Sequence, residues 1–249
     1  MLTLPDLPQG FEWTNTMDLQ NLDPSQGTQE VYNTVFHSDA GWLHVNLTVA
    51  SAPYEKIPEN LGIGQDWTPV EAPVVGKASN ASQSDGDPSQ SAVIFVKGNV
   101  LAEIYGPISM DTALALAQVM EQRIPQSNVD PAPITFPETL DAQTSAKYFS
   151  SIDLGICSPD GQSFTPATTF TSQDWNTACI QMQPASQDYE NIQKYSYAVY
   201  DPQGQRFSVR YDAHYGFSGM IFIFEKSGNF ELRIAVDDVL VAVIPYEMR

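Results

Sequence analysis

Leu43, Val45, Leu47 and Val49 alternate with Trp42, His44, Asn46 and Thr48. A period of two with one apolar side predicts a strand half-buried against a core. Just before it, Val31, Asn33, Val35 and His37 oppose Tyr32, Thr34 and Phe36, and Ser38-Asp39-Ala40-Gly41 separates the two runs. Two alternating runs around a short Asp/Gly turn predict an antiparallel hairpin. A second hairpin is predicted where Ser91–Val96 and Val100–Tyr105 flank Lys97-Gly98-Asn99. Gly98-Asn99 supplies the positive φ that a tight hairpin needs, and the nearly unbroken apolar arms predict strands buried on both faces. After Gly106-Pro107, Ser109 or Asp111 can cap a helix running to about Ile124, with Ala113, Leu116, Ala117, Met120 and Ile124 on one stripe. Arg123 suits the negative end of that helix, and Pro125 stops it.

The remaining segments are less periodic. Residues 1–29 are rich in Pro, Gln and Asn, with a short helix expected near Thr16–Leu22. Residues 51–90 carry Pro53, Pro58, Pro69, Pro73 and Pro88 and read as a functional loop, a disordered insert, or a connection hiding a short helix or strand. Trp67, with Ile57, Leu61 and Ile63 nearby, predicts that its first half packs down. Pro131, Pro133 and Pro137 among polar residues mark 126–146 as a linker. From Lys147 on, short strands and turns take over. Ile152, Leu154 and Ile156 alternate, as do Tyr195, Tyr197 and Val199, then Phe207, Val209 and Tyr211, then Phe230, Leu232, Ile234 and Val236. Phe164–Phe170, Ala178–Gln183, Met220–Phe224 and Val239–Ile244 complete a series of about eight strands with turns every 8–12 residues, a β-sandwich pattern. The expected architecture is therefore an α+β N-terminal domain (1–125, an antiparallel sheet plus a helix, with a long 51–90 loop), a linker (126–146), and an all-β immunoglobulin-like sandwich (147–249).

Two segments carry a resemblance. Val93–Val100, continuing through Leu101-Ala102-Glu103-Ile104 into the helix that ends at Ile124, resembles the strand–turn–strand–helix unit of bacterial extracytoplasmic lipoprotein and sensor-type α+β domains. Gly228–Tyr246 resembles the last hairpin of immunoglobulin-like sandwich domains in bacterial surface proteins. The Cys…Trp…Cys spacing of antibody domains is not met, because Trp175 stands only four residues before Cys179. Both resemblances imply exported binding or scaffold modules, and neither carries a catalytic residue onto this chain.

Composition narrows the partners. The 249 residues hold 11 Lys+Arg against 30 Asp+Glu, a formal net charge of −19. Affinity for nucleic acid comes mainly from basic residues neutralising phosphates, so no nucleic-acid partner is expected. An anionic membrane surface is disfavoured for the same reason, and no apolar run is long enough to span a bilayer. Charged residues are only 16% of the chain, and Ser, Thr, Asn and Gln build the polar surface. That texture points to an extracytoplasmic protein, secreted or lipid-anchored after removal of a leader not present in this chain. In that setting Cys157 and Cys179 form one disulfide; two buried thiols in a cytosolic protein are the alternative.

No catalytic constellation assembles from the sequence. His37 and His44 could meet across their hairpin, but histidines on strands more often pack or face water than hold metal. Gly216-Phe217-Ser218-Gly219 departs from the G-x-S-x-G elbow and precedes a strand rather than a helix. Asp85-Gly86-Asp87 and Asp237-Asp238 place carboxylates in loops without the full calcium-loop pattern. No cofactor is implied. Trp42 stands on the polar side of its strand with His44. If that side is open it is a ligand-binding surface; if the helix or the 51–90 loop covers it, Trp42 is core. Tyr200, Arg206 and Arg210 form a second candidate patch, and Trp67 joins the ligand-binding candidates. The reading is a binding protein that does no chemistry, for a protein partner or a small-molecule or carbohydrate ligand. A secreted hydrolase, a calcium-dependent carbohydrate binder and a structural component of a surface assembly are the alternatives.

Overall fold

The computed structural model describes residues 1–23, 28–58, 66–130, 135–158, 163–174, 177–212 and 227–249. Strand dominates, and the described residues include two α-helices. The chain divides into two compact units, Met1–Pro133 and Ile134–Arg249.

In the first unit, β1 (Glu12–Asp23), β2 (Thr28–Ser38), β3 (Gly41–Ala50), β4 (Trp67–Val70), β5 (Ala78–Ser84), β6 (Ser91–Lys97) and β7 (Val100–Gly106) are described. They lie side by side in the order β1, β2, β3, β7, β6, β5, β4, and each neighbouring pair is antiparallel. Helix α1 (Met110–Arg123) begins at Ser109, whose Oγ accepts from the Thr112 amide at 3.3 Å. Its stripe of Ala113, Leu116, Ala117 and Met120 buries against Phe36, Leu43, Val45, Val93, Phe95, Ala102 and Ile104 on one sheet face. Arg123 grips Asp6 with two hydrogen bonds of 2.7 and 2.6 Å and ties the first turn of chain to the helix end. That grip holds the Asp6 carboxyl well below the usual range.

The expected hairpins are present, with Ser38↔Gly41 and Lys97↔Val100 closing their turns. Gly98 takes φ +58, as a two-residue turn requires. Asn99 beside it is 3% exposed, and its amide donates to the Ala50 and Val129 carbonyls while its Oδ1 accepts from the Val129 amide, each at 2.8 Å. One side chain thus clamps β3, the β6–β7 turn and the segment after α1. The helix expected near Thr16–Leu22 is not formed. That segment lies inside β1, paired from Thr16↔Thr34 to Gln20↔Glu30. Ladder pairing to β2 supplies hydrogen bonds that a short polar helix would have had to find alone. The 51–90 stretch contains β4 and β5, and residues 59–65 lie outside the described part.

The second unit holds α2 (Ala142–Tyr148), β8 (Phe149–Cys157), β9 (Phe164–Pro166), β10 (Thr169–Phe170), β11 (Ala178–Pro184), β12 (Tyr195–Tyr200), β13 (Arg206–Asp212), β14 (Gly228–Val236) and β15 (Val239–Met248). Strands β10, β15, β14, β12 and β13 run side by side, with β10 parallel to β15 and the rest antiparallel. Strands β11, β8 and β9 form a small antiparallel sheet. Leu154, Ile180 and Met182 from the small sheet share one core with Tyr197, Leu232, Ile234 and Val236. Cys157 and Cys179 are bridged, with Cα atoms 5.9 Å apart, across the neighbouring strands β8 and β11. Helix α2 starts within the stretch expected to be a linker. Asp141 caps it by accepting from the Gln143 and Thr144 amides at 2.9 and 3.0 Å. The strand expected over Met220–Phe224, His214 and the Gly216–Gly219 turn lie outside the described residues, as does Trp175.

Candidate functional site

The sheet of the first unit has a second face, opposite α1, and Trp42 and His44 stand on it. Register builds this face row by row. His37 pairs with Trp42; Val35 pairs with His44, which pairs with Tyr105; Asn33 pairs with Asn46, which pairs with Glu103. Cross-strand pairs share a face, because side chains alternate along each strand. Of the connection after β3, the described residues Tyr54 and Ile57 pack on Ile94, Val96 and Leu101 at one end. Trp42, at the other end, remains 52% exposed. At Gly106 a Cβ would stand 2.6 Å from the Trp42 carbonyl oxygen, so a side chain there would push β7 away from the site.

The side chains on this face are organised. The Trp42 and His37 rings sit 4.4 Å apart between centroids, tilted by 50°. His44 and Tyr105 stack at 4.7 Å with planes 4° apart. In the next row Asn33 donates to the Asn46 Oδ1, and the Asn46 amide donates to Glu103 at 3.2 Å. This makes a polar ladder across β2, β3 and β7, with rings above it. Trp42 and Asn46 are four residues apart on one strand, about 14 Å.

Burial sets the electrostatics. It raises the Glu103 carboxyl, and the Asn46 hydrogen bond only partly opposes it. It raises the Tyr105 hydroxyl, with Asn46 opposing and the Glu103 charge adding. It raises the Tyr54 hydroxyl, and the Glu103 charge raises it further. It lowers His44. Each group thus favours its neutral form more than it would in water. The pairing places no Lys or Arg in these rows.

The other expected residues separate. Trp67 shares the face by register but stands on β4, four strand spacings from β3, roughly 19 Å. Tyr200 pairs with Arg206 across β12 and β13, and its ring lies under the Arg233 guanidinium at 4.1 Å. Arg233 in turn donates to Glu231 at 2.6 Å. Arg210 pairs with Tyr197, on the alternate side of β12, and its Nε donates to both Asp212 oxygens at 2.9 Å. The second candidate patch is therefore divided between two faces. The loop carboxylates serve the chain itself: Asp87 accepts from Ser89, and Asp237 accepts from the Gln193 and Lys194 amides. Among the described residues, no group of three or more His, Cys, Asp or Glu is placed to hold a metal ion.

Among the described residues, two further depressions lie elsewhere. One, of about 250 Å³, is lined by Pro69, Val70 and residues of β5. The other, of about 380 Å³, is lined by Met1–Leu4, Trp13 and Phe36. In the latter, the Trp13 indole donates to Thr16 at 3.0 Å and Thr16 meets Thr34 at 3.1 Å, so its polar groups are already engaged with one another.

Sequence reasoning placed Asn46 on the polar side with Trp42 and His44 without naming it as a site residue, and missed Asn33, Tyr54, Glu103 and Tyr105. The hairpin held part of the signal: pairing outward from Ser38↔Gly41 places Asn33 opposite Asn46. Glu103 and Tyr105 arrive from a strand 57 or more residues away from those they meet, without any local mark. Compared with protein-family models, curated proteins and solved structures, the chain matches none.

Proposed function

We propose that this chain is a non-enzymatic extracytoplasmic binding protein that takes its ligand on the open face of the first unit, with an immunoglobulin-like second unit as scaffold. The observation that carries the reading is a half-exposed tryptophan at the end of an ordered row of amides, rings and one carboxylate. An exposed Trp on a structured polar face is what a binding surface needs: apolar area with directional groups beside it. The Cys157–Cys179 bridge supports an oxidising compartment. The two-layer core of the second unit supports a sandwich.

The hydrolase alternative fares worse on distance. A glycosidase needs two carboxyls about 5–10 Å apart. The strand acids on this face are Glu103 and Glu12, and Glu12 pairs with His37, three strands and two rows away from Glu103, roughly 20 Å.

The test is a titration of the labelled chain with neutral oligosaccharides, lysine-rich peptides and proline-rich peptides, followed by amide shifts. The expected result is a binder that moves the amides of His37, Trp42, His44, Asn46 and Glu103 and fails on Trp42→Ala. Shifts confined to other elements, or no binder in the panel, would overturn the reading.

A further inference from the structure

We propose that the ligand of this face is a neutral oligosaccharide, with the C–H side of one sugar ring on Trp42 and the hydroxyls of a neighbouring ring on Asn33, Asn46 and Glu103. The inference rests on the reading of the open face as the binding surface and adds the chemical class.

Charge comes first. The rows from Trp42 to Glu103 place two carboxylates, Glu103 and, beyond His37, Glu12, and no cation, on a chain of net charge −19. An anionic ligand would meet repulsion without a partner. A cationic ligand would fit the sign but not the geometry. Cations are held by aromatic faces turned toward a common point. Here His44 and Tyr105 lie parallel, each covering one face of the other, so the pair does not turn two faces toward a common point.

A sugar matches what remains. Its ring offers an apolar C–H face and an edge of hydroxyls, each both donor and acceptor. The Trp42 indole, 52% exposed, supplies the apolar platform. Carboxamides carry donors and acceptors in one plane, and a carboxylate adds two acceptors. The ladder uses one Asn33 N–H, while Asn46 accepts from Asn33, donates to Glu103 and also bonds Tyr105, which orients both amides and leaves further hydrogen-bonding capacity on Asn33. The row spacing from Trp42 to Asn46, about 14 Å, is longer than a single sugar ring, which is why the ligand is an oligosaccharide. No metal takes part in this scheme.

The experiment is a glycan array carrying neutral, sialylated, sulfated and amino-sugar oligosaccharides, probed with the full chain, Trp42→Ala and Glu103→Gln, with circular dichroism as the folding control. Binding to neutral oligosaccharides is expected, weakened about tenfold or more in folded Trp42→Ala, as loss of an aromatic platform would give. Glu103→Gln keeps the shape and one acceptor; weaker binding without complete loss is expected. Strong binding to sulfated or sialylated glycans in preference to neutral ones would overturn the assignment. So would neutral binding unchanged in Trp42→Ala. The titration separates the two levels. If a peptide moves the amides of this face and no glycan does, the ligand class is wrong and the surface stands. If glycans bind while the shifts fall on other elements, the surface itself is wrong.

Discussion

Asp212 is 4% exposed and takes both hydrogen bonds from Arg210, yet burial pushes its carboxyl up to about 6, with Arg210 only partly opposing. A raised folded-state value means that the folded chain binds this proton before the unfolded chain does. The contribution to stability is full below the ordinary carboxylate value and is lost as pH rises through about 6. Between about pH 7 and about pH 4.5 this one group should add about 2 kcal/mol to the stability of the second unit. The check is denaturant unfolding at both pH values in the natural chain and in Asp212→Asn. The gain on acidification should shrink by that amount in the variant. Equal gains in both would show that Asp212 titrates normally. Asp6, held low by Arg123, works in the opposite direction and only in stronger acid, so the two do not overlap.

Among the elements, the β6–β7 hairpin carries Glu103 and Tyr105 to the face that bears Trp42. Its turn was readable from Lys97-Gly98-Asn99, because Gly98 needs positive φ and Asn99 tolerates a turn. The clamp made by Asn99 was not readable, since Ala50 and Val129 are 49 and 30 residues away. Asn99→Ala would leave two carbonyls and one amide without this side chain in a buried place. The expected cost is about 2–4 kcal/mol of first-unit stability, from several unmet polar groups, measured by thermal or denaturant unfolding. Asn99→Asp keeps an acceptor for the Val129 amide and loses both donated bonds, so it should also destabilise. A loss under about 0.5 kcal/mol, typical of unremarkable surface sites, would refute the clamp. Strand β1 shows the opposite case. Its Thr, Asn and Asp residues gave no apolar alternation, and its strand identity comes from the long ladder to β2. Helix α2 is similar: AQTSAKY has no apolar stripe, and Asp141 was its one local sign.

For the chain as a body with two units, the disulfide is the device that belongs to one unit alone. It closes a 22-residue separation between β8 and β11. Replacing both cysteines by serine should cost about 3 kcal/mol, the loop-entropy value for that length. Unfolding of the second unit should shift while β2–β3–β7 amides of the first keep their protection, followed by hydrogen exchange. A shift of the first unit equal to that of the second would contradict two separately cored bodies. The cores themselves were foreseeable. Leu43, Val45, Phe95 and Ile104 fill the first, and Leu154, Tyr197, Leu232 and Ile234 fill the second. For Leu43, Val45, Leu154, Tyr197, Leu232 and Ile234 alternation had already assigned the inward side, whereas Phe95 and Ile104 stand in nearly unbroken apolar arms that were expected to be buried on both faces.

Local pattern was enough for the hairpins, the amphipathic helix α1, the acid balance and the candidate status of Trp42 and His44, because periodicity and turn chemistry act over a few neighbours. The fate of the face bearing Trp42 was a different matter. Whether α1 or the connection after β3 would cover it depends on which side each element packs, and that is a property of the assembled sheet. Folding put α1 on the far side, packed Tyr54 and Ile57 over one end, and carried Glu103 and Tyr105 in from β7 to meet Asn46 and His44. Side chains far apart along the chain become neighbours through strand register, and register is written in the pairing of whole strands rather than in any short run of residues.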